Sequence, residues 1–241
     1  MIKGNAQLRE YTTIYQKTVY TINSLEDYKN YGHKLLKQSN NKKLGKVIKK
    51  GKYANKPLYS LSLVEREMGC PKYCHHWESC YGNNMPFAHR FRTDNTYIFT
   101  KVLHNEIMHL TKKHKQGIHI RLHVLGDFFD RGYIGFWRLI LKLYPKISIY
   151  GYTAHKPTSE LGKQINNVID EIGFNRFAIR FSNSNVNLSA NSTEFKPRLI
   201  GSKNVSLKPI ICPEQENKVD SCSNCALCWN DKAQQILFQT H

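Results

Sequence analysis

The chain predicts an α/β fold with parallel strands, either an open sheet or a partial (β/α) barrel. Three observations predict it. From residue 57 onward, short runs rich in β-branched and aromatic residues alternate with segments of helical periodicity, the pattern of successive βαβ units. Helix start and stop residues fall at the joints between them. Polar and sulfur-bearing residues gather just after the predicted strands, where folds of this class keep their chemistry.

Each element follows in order. "PLYSLSLV" (residues 57–64) alternates apolar and polar positions and reads as the first strand. The loop "CPKYCHHWESCYG" follows it. "YIFTKVLHNEIMHLTKKHKQG" (97–117) reads as a helix closed by Gly117. "IHIRLHVLGDFF" (118–129) is a strand ending at Gly126 and Asp127, and "YIGFWRLILKLYP" (133–145) is a helix. "ISIYGYT" (147–153) is a strand, and "TSELGKQINNVIDEIG" (158–173) a helix opened by a Thr/Ser cap and closed by Gly173. "RFAIRFSNS" (176–184) and "SLKPIIC" (206–212) complete the set. The chain divides into a basic N-terminal extension (1–55), a (β/α) core with the first cysteine loop (56–211) and a cysteine-rich C-terminal segment (212–241).

The 241 residues, 40% hydrophobic and 12% aromatic, suffice for one sizeable core. No apolar run approaches the roughly 18 residues of a membrane helix, and "MIKGNAQLREYTT" lacks the apolar stretch of a secretory signal. A cytoplasmic protein is expected. In a reducing compartment clustered cysteines are metal ligands or catalysts more often than disulfides. The 36 Lys+Arg against 18 Asp+Glu give a net charge of +18. Nine lysines and no acid lie between Lys29 and Lys52. That charge suits a nucleic-acid partner or an acidic redox partner; a lysine-biased genome explains it equally well.

The seven cysteines fall in two groups. Cys222, Cys225 and Cys228 are spaced C-x2-C-x2-C, with Cys212 supplying a remote fourth. This is the run of bacterial ferredoxins, whose fourth thiolate also comes from elsewhere. Zinc sites instead use separated pairs of cysteines or histidines, so a [4Fe–4S] cluster is favoured with zinc as the alternative. Cys70, Cys74 and Cys80 are spaced C-x3-C-x5-C after the first strand. Three thiolates on a cube leave one iron open to a small ligand; with His75 or His76 as a fourth ligand the site would be closed. One cluster or two are both compatible with the sequence. Trp229, beside Cys228, is placed to shield such a centre from water.

The layout of first strand, three-cysteine loop, helix and second strand ending in Gly126-Asp127 resembles the radical S-adenosylmethionine (SAM) enzymes. Their loop is C-x3-C-x2-C, however, so the x5 spacing departs from theirs. The resemblance implies a radical-SAM-like barrel in which Gly126, Asp127, Thr153 and Ser182 hold SAM. A closer resemblance is to the "gene product 88" family of bacteriophage proteins. It rests on "CPKYCHHWESCYG", "RLHVLGDFFDRGYIGFW", "IYGYT" and "CPEQENKVDSCSNCALCW" with a trailing His241, and covers roughly residues 40–241. It implies a phage or prophage protein with a cysteine-bound metal centre and no established reaction.

Period two places Arg121 and His123 on one strand face with Leu122 and Val124 on the other. Arg121, His123 and Asp127 are therefore candidate catalytic residues, with a buried ion pair to Asp127 as the plainer reading. Tyr152 and Arg180 are candidates for the same cavity. Phe128, Phe129, Tyr133, Phe136 and Trp137 read as core, and His104 and His109 as surface or packing residues. The expected function is an iron–sulfur protein, in the fullest form a radical-SAM-like enzyme acting on nucleic acid or nucleotides. The alternatives are a metal-stabilised nucleic-acid-binding protein and an electron carrier.

Overall fold

The helices begin where the sequence offers a cap. Ser24, Asn95, Asp130 and Ser159 each accept a first-turn backbone N–H through their side chains. The computed structural model describes residues 18–38, 42–184, 189–192, 209–229 and 235–239. In chain order the elements are β1 (Val19–Thr21), α1 (Leu25–Tyr31), β2 (Leu58–Ser60), β3 (Arg90–Arg92), α2 (Thr96–Lys113), β4 (His119–Leu122), α3 (Arg131–Leu143), β5 (Ser148–Thr153), α4 (Glu160–Ile172), β6 (Phe177–Ser182), β7 (Ser189–Ser192), β8 (Ile210–Ile211), α5 (Cys222–Cys225) and β9 (Ile236–Phe238). Part of the basic extension (1–17), part of the predicted last strand (206–208) and His241 lie outside the described residues.

The fold is mixed α/β. Seven strands form one sheet in the order β2-β4-β5-β6-β7-β9-β8, and every pairing in it is parallel. β1 and β3 pair separately, also in parallel. The strand order is that of an open sheet with β2 and β8 at its edges, and a barrel is not shown.

The side-chain alternation of the strands separates two packed layers. Tyr59, Ile120, Leu122, Ile149, Phe177, Ile179 and Phe181 point to one face. There they meet Phe99, Val102 and Ile107 of α2, Tyr133, Ile134 and Trp137 of α3, and Ile165 and Val168 of α4. The three long helices thus lie on one face. The aromatic core expected from the sequence is found here: Phe128, Tyr133 and Trp137 are buried, and Phe129 and Phe136 pack against them.

The opposite face presents Leu58, Tyr150 and Ala178 and is covered without a long helix. Leu44, Ile48 and Tyr53 come from the lysine-rich stretch, and Cys212, Cys228 and Trp229 from the cysteine-rich segment. The lysine-rich stretch is therefore clasped to the body through Leu35 and Leu36 and again from Leu44 onward. It is tied further by the Leu35 and Leu36 N–H groups, which donate to the buried Glu106 carboxylate at 2.8 and 2.9 Å.

Candidate metal centre

The C-terminal cysteines converge from two directions. Cys212 leaves β8, its N–H donating to Leu237 O at 2.8 Å. α5 carries Cys222 and Cys225 and stops at Ala226, in the left-handed conformation with φ 61°. A 3-10 turn, Leu227–Trp229, then presents Cys228. All four cysteines line one small cavity with Pro213, Glu214, Leu227, Trp229 and Ile236. Trp229 thus supplies part of the apolar wall expected of it.

Backbone bonds pin this cavity to the rest of the molecule. The Cys222 and Ser223 N–H groups donate to Lys43 O and Leu44 O at 2.6 and 3.2 Å. Lys49 N–H donates to Ser223 O at 3.0 Å. From the sheet, Tyr152 Oη donates to Cys228 Sγ at 2.8 Å and Arg180 Nε to Cys228 O at 2.8 Å. Burial pushes the thiols of Cys222, Cys225 and Cys228 up, and neighbouring sulfurs add to it.

The first cysteine loop is held by two arginines. Arg66 donates to Trp77 O at 2.9 Å and to Asn83 Oδ1 at 2.6 Å. Arg90, wholly buried, pairs with Glu65 at 2.9 Å and donates to Ala88 O at 2.7 Å and Gly82 O at 3.1 Å. The loop docks on the exit of β4: a Cβ on Gly69 would stand 2.6 Å from Asp127 O. Burial pushes Cys70 up to about 12 and also raises Cys74 and Cys80, and the Asp127 charge adds to the rise at Cys70 and Cys74. His75 is exposed, and His76 Nδ1 lies 3.2 Å from Ser79 Oγ. All seven cysteines are free of disulfides. Among the described residues no group of three or more His, Cys, Asp or Glu side chains is placed so that it could hold a metal ion.

The structure divides the other candidates among three places. Arg121 lies on the cysteine face, its guanidinium 4.4 Å from the centroid of Tyr152 and 5.3 Å from that of Tyr150. Its charge acts on Cys222 on one side and on Tyr81, next to Cys80, on the other. His123 does not share that face. It sits on the helix side, Nε2 2.9 Å from Tyr133 Oη and its ring edge-on to Phe128. The cause is an extra residue in the β4 exit. Leu61 N–H donates to Arg121 O, and Leu61 O accepts from Val124 rather than from residue 123. One residue is thus left out of the ladder, a β-bulge that interrupts the alternation.

Asp127 does not pair with Arg121 either. Its carboxylate accepts from Phe128 N at 2.7 Å and Ala154 N at 2.7 Å, beside Thr153 at the end of β5. Gly126 makes the preceding turn at φ 79°, where a Cβ would meet Leu63 at 2.7 Å. Gly126, Asp127 and Thr153 therefore gather next to the first cysteine loop. Ser182 stands apart at the end of β6, opposite Ala190.

Two residues on the cysteine face escaped the sequence reading. His119 stacks on Tyr150 with ring centroids 5.1 Å apart and meets Trp229 edge-on at 4.7 Å. Tyr150 is buried, and its hydroxyl has no hydrogen-bond partner among the described residues. The signal was available, since period two through "IHIRLH" sets His119 on the Arg121 face. No helix among the described residues is long and apolar enough to cross a membrane.

No curated protein and no solved structure matches the chain, so the likeness to radical SAM enzymes rests on sequence layout alone. A family model, described as gene product 88, matches residues 34–231. That span takes in both cysteine groups, Arg121 and the whole parallel sheet as far as β8, and the chain belongs to the gene product 88 family.

Proposed function

We propose that this is an iron–sulfur protein of bacteriophage type, in which Cys212, Cys222, Cys225 and Cys228 hold a [4Fe–4S] cluster. The observation that carries the reading is that four free cysteines, from two segments ten residues apart, line one apolar-walled cavity, although among the described residues their side chains are not drawn together closely enough to hold a metal ion as they stand. Four thiolates packed together in a low-dielectric site repel one another strongly, so bound cations are the natural way to hold them ionised. When bound, such a cluster supplies one-electron transfer at a potential set by its hydrogen bonds and its exposure. The protein's own part is to exclude water with Trp229 and to donate a hydrogen bond from Tyr152 to Cys228. A second centre on Cys70, Cys74 and Cys80 follows the same logic with one protein ligand fewer. Free thiols throughout fit a reducing cytoplasm.

A radical-SAM-like enzyme is the second reading, favoured by the docking of the first cysteine loop against Gly126 and Asp127. The strands β2, β4, β5, β6 and β7 follow one another in one direction with the long helices on one face, which suits a partial (β/α) barrel. A net charge of +18 suits a nucleic-acid or nucleotide substrate and an acidic redox partner alike.

Iron and acid-labile sulfide content after anaerobic purification tests both readings, with EPR after dithionite and again with SAM added. About eight irons and eight sulfides and a spectrum shifted by SAM support two cubes, one of them open. About four irons, no response to SAM and loss of all iron in Cys225→Ala support one closed cluster. Zinc without sulfide overturns the iron–sulfur reading and leaves zinc-stapled nucleic-acid binding.

A further inference from the structure

At the β2 edge of the sheet a cavity of about 230 Å³ opens. Leu35, Lys37 and Gln38 of the lysine-rich stretch form one wall, Ser60, Ser62 and Val124 the floor, and Met85, Ala88 and His89 the wall toward the first cysteine loop. No acidic residue lines it among the described residues. Ser60 is in register with Arg121, so the floor belongs to the face that carries the cysteines.

The charge in this cavity is unbalanced. Lys37 Nζ lies 3.2 Å from His89 Nδ1 and 5.1 Å from the centroid of the Tyr31 ring, and it makes no ion pair among the described residues. Tyr31 Oη reaches the same His89 nitrogen at 2.9 Å. The acid whose charge acts on Lys37, Glu106, is committed elsewhere: it accepts from Leu35 N, Leu36 N and Tyr28 Oη. Burial lowers the Lys37 pKa and, first among its causes, that of His89 as well. Ser60 Oγ donates to Lys37 O at 3.3 Å, which leaves the Ser62 hydroxyl. A part-buried ammonium beside an imidazole and a serine hydroxyl, with no carboxylate among the described lining residues, is a site short of one anion.

We infer that this cavity binds the phosphate group of a small ligand, with the Lys37 ammonium as its counter-ion and the Ser62 hydroxyl beside it. The volume lies below the usual range of ligand pockets, room for a phosphate and part of the group that carries it and too little for a folded chain. The phosphate could belong to a free nucleotide or to the end of a nucleic-acid strand. The inference does not depend on the metal in the cysteine sites.

The test is a titration of the full chain with inorganic phosphate, adenosine 5′-monophosphate and a 5′-phosphorylated hexanucleotide. Binding is followed by amide chemical shifts and by calorimetry at fixed ionic strength. Saturable binding that perturbs residues 35–38 and 60–62 and weakens about tenfold or more in Lys37→Met is expected, with Lys34→Met as the exposed control unchanged. Binding of the monophosphate alone assigns a nucleotide, and tighter binding of the hexanucleotide assigns a strand end. Should Lys37→Met fail to fold, Ser62→Leu fills the cavity and keeps its charge, and must weaken binding likewise. No saturable binding of any probe, or equal binding by Lys37→Met, overturns the inference. Iron and sulfide measured on the same sample keep its failure distinct from that of the iron–sulfur reading.

Discussion

The Glu65–Arg90 pair should act as the clamp of the first cysteine loop, and Glu65→Ala should release it. The two side chains are 1% and 0% exposed and meet at 2.9 Å, with a second contact at 3.2 Å. Arg90 also holds Gly82 O and Ala88 O, the two carbonyls that bring the chain back from Cys80 to β3. Removing the carboxylate takes from a wholly buried guanidinium the counter-charge it meets at 2.9 Å, which costs roughly 3–5 kcal/mol. Against a total stability of about 5–15 kcal/mol, that approaches unfolding. Glu65→Gln keeps an acceptor and should cost about 1–3 kcal/mol. Replacing both partners, Glu65→Leu with Arg90→Met, removes the stranded charge and should recover most of the loss. Urea denaturation gives the stabilities. Labelling with a thiol reagent, mapped by mass spectrometry, gives the local effect: in Glu65→Gln, Cys70, Cys74 and Cys80 should react faster while Cys212, Cys222 and Cys228 keep their rates. A loss below about 1 kcal/mol in Glu65→Ala would refute the clamp. So would equal acceleration at both cysteine groups, which means global opening.

Two further outcomes follow from the sheet face that carries the cysteines. His119 is buried and neutral, its pKa pushed down to about 3 by burial first and by the Lys56 charge second. The unfolded chain therefore binds more protons between about pH 6.5 and 3, and stability falls as pH drops through that window. His119→Phe keeps the ring stack and should flatten that limb by roughly 2–5 kcal/mol, measured as wild type minus variant in urea at several pH values; a difference constant with pH sinks the assignment. In iron-loaded protein, Tyr152→Phe removes the O–H···S bond to Cys228 and should lower the midpoint potential by about 40–60 mV, and an unchanged potential at equal iron content counts against a cluster on that sulfur.

The three long helices and the central strands were legible because each is a long periodic run with its own cap. The predicted helix at 97–117 stops at Lys113 rather than Gly117, since the His114 N–H already closes the last turn on Leu110 O. β1, β3 and β9 are three residues long, too short to carry a period, and β7 reads "SANS", polar but for Ala190. They exist because tertiary pairing overrides local preference. The grouping of Cys212 with the C-terminal run was legible from spacing. The split of Arg121 from His123 was not, because a single bulged residue reverses the face and leaves no mark on composition. Nor could the sequence show that the lysine-rich stretch is the lid of the cysteine face, since that depends on partners about 180 residues away, Cys222 and Ser223.

The position of β9 has a consequence for the order of assembly. β9 comes after the cysteines in sequence, yet it lies between β7 and β8 and makes the pairings that join them. On the ribosome, Cys212 through Cys228 emerge before the strand that anchors β8 to the sheet. Until β9 threads into its slot, the segment carrying Cys212 has no fixed place relative to Tyr152 and Arg180. The four sulfurs therefore become neighbours only after β9 has paired with both strands, so their cavity is completed later than any of the cysteines is made.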